Sequence, residues 1–332
     1  MVWQIFGHDW AVNLLNKHLI TNQLHHAYLF SGPDGIGRRT LALRFAQAIN
    51  CKNKDEQGNP CGECRICRQT MGMTQPDLSI IKCLEDKNSI MVEQIREVQH
   101  LLSLTPFEAQ FRIALLLDFE KATTSAQNAL LKTLEEAPNR VILLLTVDAI
   151  ENVLPTISSR CEIMRLRPMN AQQLSATLES HWKIDTGDAR LLAQVSGGRL
   201  GEALRYAQEP ELLEKRKRYL DDLMTLIGQD RVDRLMYAEK QFRYNRNAFR
   251  EALQIWLSFW RDVMVKSVGE EFFVNNLDYE KEIKKAADDF GHRTAREQAA
   301  NIQQVLYRLD RNVNVWLLAE VLLLDLPEPA QS

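Results

Sequence analysis

The chain has no apolar run long enough to span a bilayer, and no leader of the secretory kind opens it. Met1-Val2-Trp3-Gln4-Ile5 gives way at once to polar and charged residues. The expectation is a cytoplasmic protein with no membrane partner. Excess basic charge is missing too. Its 41 Lys+Arg face 44 Asp+Glu, a formal net charge of −3. No global field therefore holds nucleic acid, and any DNA contact has to be local or supplied by partners. Internal repeats and low-complexity tracts are absent. Cysteine is sparse, at six in 332 residues, and in an intracellular chain it points to metal or free thiols before disulfides. Apolar residues are plentiful: 45% hydrophobic content suffices for real cores, and the length suggests two or three domains.

Periodicity divides the chain. Val12, Leu15, Leu19 and Ile20 mark a helix over residues 8–23. Ala27–Phe30 reads as a short buried strand, and residues 40–50 read as a helix. Leu78–Cys83, Ile113–Leu117 and Val141–Thr146 read as further strands, the last two as continuous apolar runs suited to a parallel sheet covered on both faces. Helices marked by Val92, Ile95, Val98 and Leu102, and by residues 124–136, lie between them. The alternation argues for a parallel α/β sheet. After Pro168 only amphipathic helices remain. The stripe Phe249, Leu253, Trp256, Leu257, Trp260, Val263 has the spacing of bundle core, and Trp316–Leu326 is a very apolar last helix. Lys215-Arg216-Lys217-Arg218 is flanked by acids and reads as a solvated helix face.

Between the first strand and its helix lies Ser31-Gly32-Pro33-Asp34-Gly35-Ile36-Gly37-Arg38-Arg39-Thr40. A working phosphate loop reads G-x-x-x-x-G-K-[ST]. Gly32 and Gly37 keep its spacing and Gly35 lies between them, but Arg38 stands in the lysine slot and Arg39 in the slot of the magnesium-binding hydroxyl. Using Thr40 instead shifts the frame and breaks the glycine pattern. A guanidinium is a wide planar fork, not the compact point charge of an ammonium. ATP binding is therefore doubtful and efficient hydrolysis is not expected. The strand Ile113–Leu117 is followed by Asp118-Phe119-Glu120. Asp118 fits either a magnesium-side carboxylate or a capping residue. Phe119 occupies the position where a glutamate would polarise water.

Cys51, Cys61, Cys64 and Cys67 give C-x9-C-x2-C-x2-C. Four thiolates fill a tetrahedral Zn2+ shell with no open position, so the expected role is structural; four reduced thiols are the alternative. Cys83 and Cys161 read as inert core thiols. Arg160, in Ser158-Ser159-Arg160-Cys161, reads as a surface or ion-pairing residue on its own. Beside a neighbouring subunit's ATP it could stabilise the transferring phosphoryl group in trans.

These motifs in this order resemble the bacterial clamp-loader subunits of DNA polymerase III, which are AAA+ proteins. The resemblance rests on residues 26–33 (His-Ala-Tyr-Leu-Phe-Ser-Gly-Pro), the four-cysteine insert, Gln75-Pro76-Asp77, residues 128–136 (Asn-Ala-Leu-Leu-Lys-Thr-Leu-Glu-Glu) and Ser159-Arg160-Cys161. It spans most of residues 5–205, and Asn312-Val313-Asn314 looks like the end of the family's helical collar. The resemblance implies a RecA-like AAA+ domain over residues 1–167 with a zinc insert at 51–67, a small helical lid over 168–208, and an all-α collar over 209–332. The family contains hydrolysing γ/τ motors and non-hydrolysing stators. Arg38, Arg39 and Phe119 depart from the motor, as does Gly201 where the motor has a sensor arginine; Arg199 lies nearby at another helix position. Ser159-Arg160-Cys161 is intact. Loss of the groups acting in cis with retention of the one acting in trans implies a stator, and the chain also lacks the long extension of the τ form. The implied partners are γ/τ and δ subunits, with the sliding clamp and primer–template DNA reached through the complex. Two alternatives stand beside this one. An active γ/τ-type ATPase would use Arg38 as phosphate cation and Glu120 in place of the missing glutamate. A zinc-dependent DNA-binding scaffold is disfavoured by the charge balance.

Overall fold

The computed structural model describes residues 3–84, 89–269, 274–309 and 313–328. It forms two compact units: Met1–Thr177 with Arg199–Glu202, and Leu178–Gly198 with Ala203–Ser332. The first unit runs α1 (Asp9–Ile20), β1 (Ala27–Ser31), α2 (Arg38–Asn50), α3 (Arg65–Met71), β2 (Leu78–Ile81), α4 (Val92–Ser103), β3 (Arg112–Leu116), α5 (Thr124–Glu135), β4 (Val141–Val147), α6 (Pro155–Ser158) and β5 (Glu162–Arg165).

All five strands are parallel, in the order β2-β3-β4-β1-β5. Alternate side chains face opposite layers. Tyr28, Phe30, Ile113, Leu115, Ile142 and Leu144 join the core built with α1 and α2. Leu29, Ala114, Leu116, Leu143 and Leu145 join the core built with α4 and α5. Every residue of β1 and β4 is buried, as a central strand covered on both faces requires. The sheet is thus the expected α/β core. β5 is a four-residue edge strand, only partly buried, and has no apolar run to announce it. The second strand stops at Ile81, short of Cys83.

Helices α7 (Ala171–Trp182), α8 (Thr186–Val195) and α9 (Leu200–Gln208) follow β5. The rest of the second unit is α10 (Pro210–Gly228), α11 (Arg231–Phe242), α12 (Arg246–Lys266), α13 (Glu280–Leu309, kinked at Gly291) and α14 (Val315–Leu324). The stripe on α12 is buried in one helical core with Phe242, Ile302 and Leu322. Trp256 Nε1 donates to Tyr219 O at 2.7 Å, which satisfies the indole inside that core. Arg234, 1% exposed, gives its guanidinium to the carbonyls of Leu226 (2.9 Å), Ile227 (3.1 Å) and Leu326 (2.8 Å), the open carbonyls at two helix ends. The expected solvated face at 215–218 needs a correction. Arg216 is buried, because α10 turns it onto Asp278 (2.6 Å) and the Asn276 side chain; Lys217 and Arg218 remain exposed. Asn314 caps α14 through the N–H groups of Trp316 and Leu317, while Asn312 lies outside the described residues. No helix among the described residues is long and apolar enough to cross a membrane.

Candidate functional site: a self-occupied phosphate loop and an outward arginine

The glycine loop leaves the carboxyl end of β1 and enters α2. Gly37 caps the helix at φ 105°, a conformation that favours glycine. Gly35 sits at φ 77°, and a Cβ there would lie 2.9 Å from Glu202 N. Three carbonyls of the loop, those of Asp34, Gly35 and Ile36, are engaged by the chain itself. Gly201 N donates to Gly35 O at 2.8 Å, and Arg199 Nη1 donates to Asp34 O at 3.2 Å. His8, buried and held below its ordinary pKa by that burial, donates from Nε2 to Ile36 O at 3.0 Å. Thr40 is the third residue of α2, in its first turn, and Arg39 is exposed and reaches Met73 Sδ.

Arg38 opens α2 with its side chain 7% exposed. Its Nη2 binds Asp34 within the loop and reaches Asp118 Oδ1 at 3.3 Å. Asp118 follows β3 at φ 50°, donates its backbone N–H to the Thr146 hydroxyl oxygen at 2.9 Å, and meets Lys121 Nζ at 3.3 Å. Burial alone would lower Lys121; the Asp118 carboxylate overrides that and raises it. Asp118 makes no side-chain cap to the turn that follows it. The capping alternative therefore gives way to a carboxylate neutralised by two cations. Four charges, Asp34, Arg38, Asp118 and Lys121, close on themselves where a nucleotide's phosphates and magnesium would be handled. Asp34, Lys121, Thr146 and His8 were invisible as site residues in the sequence. Asp34 is a loop position that the motif leaves free, and the other three meet the loop or its carboxylate only through the fold.

Phe119 is fully buried in the α4–α5 core. Glu120 lies within electrostatic reach of Asp148, Asp118 and Arg38. It is largely buried, Oε2 has no hydrogen-bond partner, and burial followed by the Asp148 carboxylate pushes its pKa up to about 7.

Arg160 lies elsewhere. In the sheet register Tyr28 is level with Glu162, so Arg160 sits beyond the amino end of the strands while the glycine loop leaves their carboxyl end. At strand rise the two are separated by roughly 17–20 Å along the sheet, which puts Arg160 out of reach of its own chain's loop. Its side chain is 35% exposed. Nη1 donates to Thr156 O at 2.9 Å and Nη2 to Glu135 Oε1 at 2.8 Å.

Cys51, Cys61, Cys64 and Cys67 place their sulfurs within 4.8 Å of one another. The Cys51–Cys61 and Cys61–Cys67 separations are 3.6 and 3.9 Å. A tetrahedral ion with Zn–S near 2.3 Å needs sulfurs about 3.8 Å apart, so the group fits. The Cys64 N–H donates to Cys61 Sγ at 3.3 Å and the Cys67 N–H to Cys64 Sγ at 3.4 Å. The first of these draws the Cys61 thiol down to about 7, while burial pushes Cys51 and Cys67 up. Ionising all four in this space calls for a cation. Cys83 and Cys161 lie apart, and burial raises Cys161 to about 12.

The parallel order β2-β3-β4-β1-β5, with a glycine loop between β1 and α2, defines an AAA+ nucleotide-binding fold. The family described as DNA polymerase III, delta subunit, matches residues 7–170. DNA polymerase III subunit delta' of Bacillus subtilis (strain 168) is 28% identical over 321 residues, 96% of this chain and 95% of that protein. DNA polymerase III subunit tau of Escherichia coli (strain K12) is 30% identical over 205 residues, 60% of this chain but 31% of that protein. A solved gamma-subunit-related protein of Thermotoga maritima covers 95% of this chain at 15% identity and a TM-score of 0.46; the sheet order carries the fold assignment without it. The chain belongs to the clamp-loader family of AAA+ proteins, and its similarity runs nearly end to end along a delta' subunit.

Proposed function

We propose that the chain is a non-hydrolysing, delta'-type stator of a DNA polymerase III clamp loader. It would sit beside a γ/τ-type motor, with a δ subunit in the same ring, and present Arg160 to the motor's ATP. ATP binding by the motor would close the ring on a sliding clamp and primer–template DNA, and hydrolysis would release them. A zinc ion held by Cys51, Cys61, Cys64 and Cys67 would cross-link the insert and take no part in chemistry. Residues 1–167, 168–208 and 209–332 would serve as nucleotide-binding-like domain, lid and collar.

The observation that carries this reading is the internal pairing of Arg38 with Asp34 and Asp118. A phosphate would compete with two carboxylates for Arg38 Nη2 and meet only Nη1 without a rival, and magnesium would compete with two cations for Asp118. Both competitions oppose nucleotide binding, by the modest amount that partly exposed pairs supply. Arg160 is exposed on another edge of the same sheet.

One observation favours the motor alternative. A carboxyl group poised near 7, as Glu120 is, suits a general base. Incubating the purified chain with MgATP separates the two. The stator reading expects no turnover above background and no saturable binding at millimolar nucleotide. Turnover by the lone chain, abolished by Glu120→Gln, would establish the motor reading instead.

A further inference from the structure

Glu135 is the last residue of α5, and Glu136 follows it at the C-cap. A helix carboxyl end carries partial negative charge and favours cations, so a glutamate pair there is unfavourable for the helix itself. Glu135 is half exposed and fills no core. Its contact is with Arg160: Oε1 accepts from Nη2 at 2.8 Å, across 25 residues of sequence. Thr156 O, one turn before Arg160, accepts from Nη1 at 2.9 Å, and Ser159 Oγ stands at 3.5 Å from the same nitrogen. A carbonyl and a carboxylate thus fix the plane of the guanidinium from two sides. Of the five N–H donors of an arginine, three have partners here, which leaves two for an incoming anion.

We infer that Glu135 is a positioning residue for Arg160: it holds the guanidinium outward in the plane in which the arginine meets the neighbouring subunit's phosphate. This rests on the stator reading. A free arginine side chain samples many rotamers, and ordering it at assembly costs conformational entropy. Glu135 supplies that order before assembly. It touches no nucleotide and acts only through Arg160. Its effect should therefore fall on kcat, with KM for MgATP held by the motor's own loop.

The test is a double-mutant cycle in the reconstituted loader, with motor, δ, clamp and primed DNA present. Incorporation of each variant is checked by native mass spectrometry. Glu135→Ala should lower kcat about tenfold with KM within twofold of wild type. Glu135→Gln, which keeps an acceptor oxygen without the charge, should recover part of the loss. In an Arg160→Ala background, Glu135→Ala should have no further effect. If Arg160→Ala itself leaves turnover unchanged, the arginine role fails and this inference with it. If Arg160→Ala lowers turnover while Glu135→Ala matches or exceeds wild type, the arginine role stands and the positioning role is overturned. A Glu135→Ala loss that persists in the Arg160→Ala background also overturns it, since the glutamate would then act by another route.

Discussion

Two arginines on one sheet stand in opposite surroundings. Arg38 follows the carboxyl end of β1, 7% exposed, between the carboxylates of Asp34 and Asp118. Arg160 precedes the amino end of β5, 35% exposed, on a single carboxylate and one carbonyl. The first is paired twice within the chain through Nη2, and its buried Nη1 has no hydrogen-bond partner. The second is held but not enclosed, with donors left over. A motor needs its loop cation free; a stator needs only the outward one. Composition cannot distinguish them, because the difference lies in how many carboxylates the fold brings to each.

The contrast can be sharpened, beginning with the largest effect. If the cysteine insert is a separate cross-link, losing its metal should leave both arginine sites in place. Structural zinc contributes on the order of 10 kcal/mol in small domains. Cys67→Ser should take bound zinc from one equivalent to none and open residues 51–71 to limited proteolysis. An intact insert without metal would show that the thiols are only reduced cysteines.

Glu120 supplies the next test. Its folded pKa of about 7 stands above the ordinary glutamate value, so the folded state holds a proton that the unfolded state has already released. Its neutral form is accommodated below about pH 4.5, and stability falls as pH rises from there towards 7. The span is about 3–4 kcal/mol. Glu120→Gln should be stabilising at pH 8, neutral at pH 4.5, and should flatten the urea midpoint between them. An equal effect at both pH values would mean that folding leaves the carboxyl's pKa unshifted.

Asp118→Ala removes one of the two carboxylates on Arg38. The exposed Asp34 remains, so the cost should be modest, about 1–2 kcal/mol by urea unfolding. No loss would mean that Arg38 is not held inward. The smallest expected gain comes from repairing the motif. Arg38→Lys with Arg39→Thr should give measurable MgATP binding by calorimetry but no turnover, since Phe119 still fills the water-activating position. Turnover by that variant would erase the contrast, because the loop would then need only its cation restored.

The sheet was largely legible because its strands are the apolar runs Ala27–Phe30, Ile113–Leu117 and Val141–Thr146, and burial on both faces leaves that mark. β5 was not, since an edge strand is half exposed. The cysteine insert was legible from spacing alone, whereas helix α3 inside it was masked by the cysteines. The substitutions at Arg38 and Phe119 could be read as losses. Their consequence could not, because Asp34 is an ordinary loop residue until Arg38 turns onto it. The burial of Glu120 beside Asp148 could not be read either, because the short turn after Asp118 produces it. Arg216 was read as solvated because its sequence neighbours are charged; its real neighbours, Asn276 and Asp278, are about sixty residues away.

The central claim is that the chain's working arginine acts outside the chain. Its most direct test is the ATPase rate of a clamp loader reconstituted with γ/τ-type motor, δ, sliding clamp and primed DNA, comparing wild-type chain with Arg160→Ala at equal incorporation. A trans-acting arginine predicts at least a tenfold fall in turnover, with KM for ATP little changed. Equal rates for the two assemblies would contradict the account.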